Sequence, residues 1–598
     1  MSGLSRYTFI LCSLFLIAST FTTKRWNNPY NAVISWDAAG YYLYLPSFFY
    51  NDLGKIHKAG DIVNKYNPFG CSFEDANKKV NDNYIIKYTC GVALMELPAF
   101  IAAHYWSKAG NYPLDGFSYP YQICINFWSI FVVIAGLWFL RKNLLKWFDD
   151  NTVAIILFIL CVATNLYNFT SFSGNMSHSY LFTLYLLIIY FVDKFYKQPA
   201  YLIALLLGLL AGLAVLTRPT EIVCMIPIVL WNVSNFVEVK ERITFFKVHF
   251  LKLFVFFLSA IAVGSIQLVY WKTYSGHWIF WSYGDNETFS FLHPHIFNGL
   301  LSYKKGWFIY TPIMLLILPG FYFLYKKYRS IFWAVFLFCI VNIYFVFSWD
   351  CWWYGGSFSQ RSVIQSYSLL AFPLAAFIEA TKQKRFLFIC ITVFILFCSW
   401  LNIIMTYQSY CYSGIMETES MSKKYFWKIF GKTSIEKHDK KYIDLRDEIP
   451  SGFNNKFVPI YSNDFEQADF ADSSSEAFSG KKVLLLNKLK QESKETIIDI
   501  SNKQGYYRAT VKVHSKDVEW NVWKQTQWII ALYNDNTEIR SNFYRIYRII
   551  EPNSWQEISI DIKVPKNKTP NKLKIKFWNA DSEKEIKIDD LKVFFAEI

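Results

Sequence analysis

The first two thirds of the chain alternate long apolar runs with short polar loops. A run of about 20 apolar residues crosses a bilayer as a helix, so we predict about eleven transmembrane helices. These runs cover residues 7–23, 121–140, 152–169, 179–192, 201–216, 222–233, 248–270, 307–325, 331–347, 363–380 and 386–405. A twelfth apolar stretch, residues 89–106, carries Glu96 and Pro98, and we predict a re-entrant or juxtamembrane helix there.

Lysines and arginines sort the loops between these runs into two sides. Loops rich in lysine and arginine tend to remain in the cytoplasm, so the side with most of these residues is predicted to be cytoplasmic. The N-terminus lies on that side. That side holds Arg6, Arg141, Lys142, Lys146, Lys194, Lys197, Lys240, Arg242, Lys247, Lys326, Lys327, Arg329, Lys382, Lys384 and Arg385. The other side receives a long first loop (24–120), the turn at Arg218, residues 271–306 and 348–362, and everything after Met405.

From about residue 456 the pattern changes to short segments of alternating apolar and polar residues. They cover residues 482–486, 506–513, 528–533, 544–549, 555–564, 573–578 and 586–595. Short strands separated by turn-forming residues predict a β-sandwich. We therefore expect a membrane domain at 1–405, a Lys-rich linker at 406–455 and an all-β domain at 456–598.

Charge and cysteine usage argue against two classes of function. The 598 residues include 61 Lys and Arg, and the formal net charge is +15. Because no basic block is interleaved with aromatics at a fixed pitch, nucleic acid is not an expected partner. The 11 cysteines form no CxxC pair and no Cys/His cluster, which argues against a disulfide framework or a zinc site.

One carboxylate stands out in the first outer loop. Ser35 is placed to cap a helix that begins at Trp36, which puts Asp37 in its first turn. Tyr41 lies on the same helical face, and Pro46 should bend or end the helix. Asp37 either complements the helix dipole or acts as the catalytic base of a membrane enzyme.

The remaining outer loops carry cations, aromatics and glycines. Arg218 and Glu221 form a polar turn between two short apolar runs and either pair with each other or line a cavity. Residues 348–362 read SWDCWWYGGSFSQRS, in which two glycines allow close backbone approach and Arg361 suits a phosphate. The two tryptophans of this loop fit a membrane-interface belt equally well.

Several of these segments together resemble the GT-C membrane glycosyltransferases. The segments are SWDAAGYYLYLP, KYTCGVALMELPAF, LTRPTE, LSYKKGWFIYTP and WWYGGSFSQR. The nearest branches are the RgtA/B/C/D-like enzymes, the lipid A aminoarabinose transferases and the protein O-mannosyltransferases. The resemblance covers residues 7–405 and implies a GT-C-like fold in the bacterial inner membrane, with the C-terminal domain outside the cytoplasm.

The resemblance implies an inverting glycosyltransferase that moves a hexose or pentose from a polyprenyl-phosphate donor. The acceptor would be an extracytoplasmic glycan, lipid or protein. Asp37 would take the acceptor proton, and a divalent cation would share the phosphate charge. Lys87, Arg218 and Arg361 would bind the donor phosphate. Substrate would also contact Tyr41, His104, Tyr303, Lys304, Trp352, Trp353, Tyr354 and Gln360.

The C-terminal strands resemble jelly-roll carbohydrate-binding modules. In such modules acids near the first and last strands often hold a structural calcium, and Glu466 and Asp590 match those positions. Trp520, Trp523 and Trp528 form either a sugar-stacking platform or part of the core.

Two other functions fit the same sequence. Intramembrane charges also serve a transporter or flippase of lipid-linked glycans, although no duplicated half is evident. The membrane domain would alternatively be a catalytically silent anchor for a carbohydrate-binding domain. Replacing Asp37 with Asn separates these functions, because only an enzyme should lose turnover.

Overall fold

The computed structural model describes residues 3–23, 26, 32–56, 65–66, 77–283, 287–410, 414–445, 447, 452, 456–501, 503–519 and 521–598. Contacts divide the chain into two compact units, Met1–Glu419 and Ser420–Ile598. The first unit is almost entirely helical, whereas the second is built mainly from antiparallel strands. The second unit also includes a short helix at Lys423–Ile429 and a 3-10 segment at Lys437–Ile443, both within the range predicted as a linker.

The described helices of the first unit mostly overlap the apolar runs of the sequence. In chain order they are α1 (Leu4–Thr20), α2 (Trp36–Tyr42), α3 (Tyr44–Phe49), α4 (Gly91–Ala109), α5 (Tyr119–Leu144), α6 (Asp150–Val162), α7 (Leu166–Ser171), α8 (Ser177–Lys197), α9 (Tyr201–Thr217), α10 (Met225–Leu230), α11 (Phe236–Val248), α12 (Phe250–Ser275), α13 (Ile296–Leu301), α14 (Trp307–Tyr310), α15 (Ile317–Lys327), α16 (Arg329–Ser348), α17 (Tyr367–Lys382) and α18 (Arg385–Ser409). Three 3-10 segments, Pro219–Cys224, Pro312–Leu316 and Arg361–Ser366, join neighbouring helices. A hairpin of β1 (Asn77–Val80) and β2 (Asn83–Ile86) lies in the first outer loop.

Among the described residues, six helices are long and apolar enough to cross a membrane. They are Tyr119–Leu144, Ser177–Lys197, Phe250–Ser275, Arg329–Phe347, Arg361–Lys382 and Arg385–Ser409. Four shorter apolar helices, Leu4–Thr20, Asp150–Val162, Tyr201–Thr217 and Pro219–Leu230, accompany them. This is a multi-pass helical membrane protein, but the predicted count of eleven spans is not confirmed. The predicted span 307–325, for example, is divided into α14, a 3-10 segment that begins at Pro312, and α15.

The loops predicted to be cytoplasmic lie together at one end of the first unit. Lys382 at the end of α17 pairs with Asp149 before α6 at 2.8 Å. Arg141 at the end of α5 donates a 2.7 Å hydrogen bond to the Ser5 hydroxyl, and Ser5 N–H donates to Asp150. The ends of α5 and α17 therefore lie beside the starts of α1 and α6, as the charge pattern requires.

Two glycines bring α9 and α12 into close contact. A Cβ placed on Gly208 would lie 2.2 Å from the Phe256 carbonyl oxygen, and one on Gly212 would lie 2.8 Å from that of Ala260. Only glycine fits such positions, and a pair of glycines four residues apart is typical of closely packed membrane helices. The packing fixes the orientation of α9, whose last residue precedes Arg218.

The first helix of the first outer loop begins at the predicted residue but lacks the predicted cap. Helix α2 begins at Trp36, but the Ser35 hydroxyl donates to the Ala32 carbonyl and makes no cap hydrogen bond. The cap prediction is therefore wrong, because the hydroxyl binds the preceding turn instead. The chain breaks at Leu43 between α2 and α3, one turn before Pro46.

The second unit contains two antiparallel sheets. Its strands are β3 (Val458–Asn463), β4 (Asp472–Ser473), β5 (Lys482–Leu486), β6 (Thr496–Asp499), β7 (Gly505–His514), β8 (Gln527–Asn534), β9 (Thr537–Arg545), β10 (Gln556–Lys563), β11 (Lys572–Trp578) and β12 (Ile586–Glu597). One sheet has the order β10-β7-β12-β5-β4, with β3 also paired to β12, and the other has the order β6-β11-β8-β9. The all-β character is confirmed, whereas the jelly-roll topology and carbohydrate binding stay predictions.

The predicted strand at 544–549 is wrong. Strand β9 ends at Arg545, and a 3-10 turn, Ile546–Arg548, follows it. The backbone N–H of Arg545 donates to the Asp444 carboxylate, and the Arg545 guanidinium pairs with the same group at 2.6 Å. Arg545 is therefore held by Asp444 at the point where the strand ends. The alternating apolar pattern continues to residue 549 and does not reveal this end.

The tryptophans of the second unit have different environments. Trp528 is fully buried between Tyr544 and Phe577, whose ring centroids lie 5.9 and 5.5 Å away. Trp528 is therefore a core residue. Trp523 is 69% exposed. Trp520, the third member of the expected platform, lies outside the described residues.

Candidate active site

Asp37 lies at the centre of a cluster drawn from distant parts of the first unit. Its Oδ2 atom is 2.6 Å from Arg361 Nη2, and its Oδ1 atom accepts a 2.7 Å hydrogen bond from the Tyr88 hydroxyl. The side chain of Asp37 keeps 31% of its exposure, compared with 15% for Arg361. The carboxylate is thus fixed by two partners and still reachable.

Electrostatics keep Asp37 ionised. Burial by itself raises the pKa of this carboxyl group, but the Arg361 guanidinium and the hydrogen bond from Tyr88 outweigh that effect. Lys87 adds a further favourable charge, and the net pKa of Asp37 is lowered from its ordinary value. The group is therefore a carboxylate at neutral pH, able to accept a hydrogen bond from an incoming hydroxyl.

Lys87 reaches the same cluster from the end of the β1–β2 hairpin. Its Nζ atom pairs with Glu287 Oε1 at 2.8 Å and lies 5.0 Å from the centre of the Tyr283 ring. The Ser282 hydroxyl donates to the Lys87 carbonyl oxygen. These contacts hold the ammonium group at the rim of the cluster, with 16% of the side chain exposed.

Arg218 follows α9 and lies against α8. Its Nη1 atom is 3.2 Å from His178 Nδ1 and 3.9 Å from Glu221 Oε1. Glu221 itself accepts hydrogen bonds from Tyr185 at 2.7 Å and from Gln365 at 3.1 Å. The pairing that the sequence allowed between Arg218 and Glu221 is present but long, because Glu221 is bound more closely by the two neutral donors.

Tyr41 connects Arg218 to the rest of the cluster. Its ring lies 4.3 Å from the Tyr88 ring, and its hydroxyl accepts a 3.2 Å hydrogen bond from Ser177. Burial raises the pKa of Tyr41, and Arg218, Asp37 and Arg361 are all close enough to modify it. The structure therefore brings together all four residues predicted as base and phosphate ligands.

The loop before Arg361 has unusual backbone geometry. Tyr354 and Gly355 have φ angles of +54° and +68°, in the left-handed region. A Cβ on Gly355 would lie 3.7 Å from Arg361 Nη2, so the backbone passes close to the guanidinium. The buried Lys305 donates to the Ser357 carbonyl oxygen and holds this loop in place.

Other predicted substrate-binding residues lie in this loop and in the segment before α14. Lys304 Nζ lies 3.5 Å from the centre of the Trp353 ring, and Trp352 follows 5.8 Å from Trp353. Gln360 is fully buried and donates to the Trp352 carbonyl oxygen at 3.2 Å. The carbonyl oxygen of Tyr303 accepts from the hydroxyl of a neighbouring tyrosine.

His104 lies in another part of the first unit. Its Nδ1 atom is 2.8 Å from the Tyr121 hydroxyl, and its ring stacks against Phe100. The first residue of α4, Gly91, is adjacent to Thr217, whereas His104 lies about 20 Å further along the helix. Among its described contacts, none joins His104 to the Asp37 cluster.

Sequence reasoning missed His178 and Lys305. His178 opens an apolar run and is 3% exposed, and a histidine at that position of a membrane helix is a signal of function. Burial and the nearby Arg361 place the pKa of Lys305 well below its ordinary value. The motif Tyr-Lys-Lys had pointed to Lys304 instead.

The two acids predicted to hold a structural calcium, Glu466 and Asp590, both contact the segment 479–482. Glu466 Oε1 accepts hydrogen bonds from the backbone N–H groups of Lys481 and Lys482, and Asp590 Oδ1 accepts from the Ser479 hydroxyl. Calcium takes six to eight oxygen ligands, and the structural calcium stays a prediction. Across the described part of the chain, no group of three or more His, Cys, Asp or Glu is placed to hold a metal ion.

Comparison with known proteins gives little beyond this geometry. No family model and no curated protein matches the chain. Among solved structures, the cryo-EM structure of the arabinosyltransferase EmbB from Mycobacterium smegmatis is similar at 8% identity and a TM-score of 0.31. The similarity covers 83% of this chain and 58% of that one, so the chain spans less than two thirds of its length. A likeness this low carries no argument about function.

The fold and the site together define the general class of this protein. The protein is a multi-pass helical membrane protein with a C-terminal β-unit. The first unit holds two partly exposed carboxylates, Asp37 and Glu287, among three cations. That arrangement is the starting point for its chemistry.

Proposed function

We propose that the protein is an inverting glycosyltransferase that uses a polyprenyl-phosphate sugar as its donor. The observation that carries this proposal is the contact of Asp37 with Arg361 and Tyr88, beside Lys87 and Arg218. One base and several cations within one cluster match a reaction in which a hydroxyl loses a proton while a phosphate gains charge.

Each group has a distinct task. The acceptor oxygen attacks the anomeric carbon as the bond to the phosphate oxygen breaks, and the acceptor proton passes to Asp37. Arg361 and Lys87 bind the phosphate of the leaving lipid, and Arg218 adds a further positive charge to the cluster. Tyr88 keeps the carboxylate oriented through its 2.7 Å hydrogen bond.

Donor binding and base activation are coupled in this arrangement. Arg361 Nη2 is bound to Asp37, and Arg361 Nε is buried with no hydrogen-bond partner among the described residues. A phosphate that binds this guanidinium weakens its hold on Asp37 and so raises the proton affinity of the base. The base thus gains strength when the donor is present.

The side of the membrane on which the reaction takes place is inferred from the loop charges. With the basic loops in the cytoplasm, the cluster faces the outer side of a bacterial inner membrane. The acceptor is then an extracytoplasmic glycan, lipid or protein, and we propose that the β-unit helps to hold it.

A panel of polyprenyl-phosphate sugars tests the proposal. Purified full-length protein in nanodiscs is incubated with each donor, and released polyprenyl phosphate is measured. Release is expected for at least one donor from the wild type and from Asp581→Asn, an exposed control on the β-unit. It is not expected from Asp37→Asn. Lipid movement without release, and unaffected by Asp37→Asn, would instead favour a transporter.

A further inference from the structure

Each of the three cations proposed to bind phosphate has an acid for a partner. Arg361 pairs with Asp37 at 2.6 Å and Lys87 pairs with Glu287 at 2.8 Å. Arg218 lies 3.9 Å from Glu221. The positive charges that would bind a phosphate are therefore balanced within the protein, and an anionic ligand competes with these acids.

Glu287 differs from the other two acids in its surroundings. Glu221 is 2% exposed and is held by two neutral donors, so it stays in place. Asp37 has the role of the base. Glu287 keeps 36% of its exposure, and Lys87 is its one ion-pair partner among the described contacts. Among the three acids, Glu287 is therefore the one whose ion pair can most readily break and form again.

The charge of the lipid phosphate changes during the proposed reaction. The donor is a phosphodiester with one negative charge, whereas the product is a phosphomonoester with a charge of about −1.5 to −2 at neutral pH. The cations therefore hold the product more tightly than the donor. A resident acid that competes for one cation relieves this imbalance.

We propose, building on the proposed function, that Glu287 competes with the lipid phosphate for Lys87 and promotes release of the polyprenyl monophosphate product. Lys87 passes from Glu287 to the phosphate when the donor binds and returns to Glu287 when the product leaves. Glu287 is thus a positioning residue that acts through Lys87.

Removing the charge of Glu287 should tighten product binding. For a partly exposed ion pair, the expected gain in affinity of Glu287→Gln for polyprenyl monophosphate is between about two- and fivefold. The KM for the donor should fall, product inhibition should strengthen, and kcat should fall when release limits turnover. Glu287→Asp keeps the charge and should remain near the wild type.

A binding experiment on the full-length protein tests this without depending on turnover. Wild type, Glu287→Gln, Glu287→Asp and the exposed control Glu241→Gln are placed in nanodiscs. Each is titrated with a polyprenyl monophosphate and, separately, with inorganic phosphate. The same titrations in a Lys87→Met background form a double-mutant cycle. The effect of Glu287→Gln should vanish there, since the competition is for Lys87.

The outcomes separate the two proposals. Tighter binding of the lipid phosphate by Glu287→Gln alone, lost in the Lys87→Met background, supports the role of Glu287. Unchanged or weaker binding by Glu287→Gln, with a wild type that binds normally, overturns that role and leaves the proposed function standing. Failure of the folded wild type to bind polyprenyl monophosphate at all counts against both.

Discussion

Replacing Asp37 with Asn removes the proposed base while preserving its hydrogen bond from Tyr88. The Asn oxygen still accepts the hydrogen bond from Tyr88, whereas the 2.6 Å ion pair with Arg361 is lost. A general base contributes about 10²- to 10⁴-fold to the rate, or about 3 to 5 kcal/mol of barrier. We therefore expect kcat to fall by that factor.

The same substitution should leave donor binding intact or improve it. Arg361 is no longer neutralised by Asp37, so its guanidinium is free to bind the phosphate. The KM for the donor is expected to stay level or to fall, which distinguishes loss of a base from loss of a binding residue. Steady-state release of polyprenyl phosphate gives both constants in one assay.

The pH profile supplies an independent check. The pKa of Asp37 is lowered in the fold, so its ion pair stabilises the protein above the unfolded pKa and is lost as pH falls through the folded pKa. The wild-type kcat/KM, which reports the free enzyme, should not change with Asp37 ionisation from about pH 5 upward and should decline only at lower pH. Turnover by folded Asp37→Asn within about tenfold of the wild type would refute the role of the base.

Three further substitutions test other parts of the structure. Tyr88→Phe removes a hydrogen bond to a charged group and should lower kcat by about 10-fold or more with little change in thermal stability, and an unchanged kcat would argue against its orienting role. Gly355→Ala places a side chain at φ +68° and should cost about 1–2 kcal/mol of unfolding free energy, whereas Gly264→Ala, in a helix with open space, should not destabilise. Trp528→Ala should cost about 3–5 kcal/mol, whereas the exposed Trp523→Ala should stay within about 0.5 kcal/mol, both by denaturant unfolding.

Local pattern was sufficient for most of the elements, whereas the sides of the membrane stay a prediction. Apolar runs fixed where helices form, and alternation fixed most strands, because both depend on residues that are neighbours in sequence. The gathering of basic loops at one end, seen in the pair of Lys382 and Asp149, follows from the same reasoning. These features need no knowledge of tertiary contacts.

Pairings across the chain were beyond the sequence. Asp37 and Arg361 were each selected by residue type, but their 2.6 Å contact depends on how α2 packs against the segment after α16. The bond of His178 to Arg218 depends on the rotation of α8 and α9 about their axes. Of two adjacent lysines, 304 and 305, only the fold decides which one is buried against Ser357.

The unequal helix lengths of the first unit affect the surrounding lipid. Helix α9 has 17 residues and covers about 25 Å, whereas α5 has 26 residues and covers about 39 Å. A hydrocarbon layer of about 30 Å is thicker than the shorter helix, and we expect the layer to thin beside it. Because Arg218 directly follows the last residue of α9, we expect that thinning to bring lipid headgroups closer to this cation and to shorten the path of an anionic lipid into the protein.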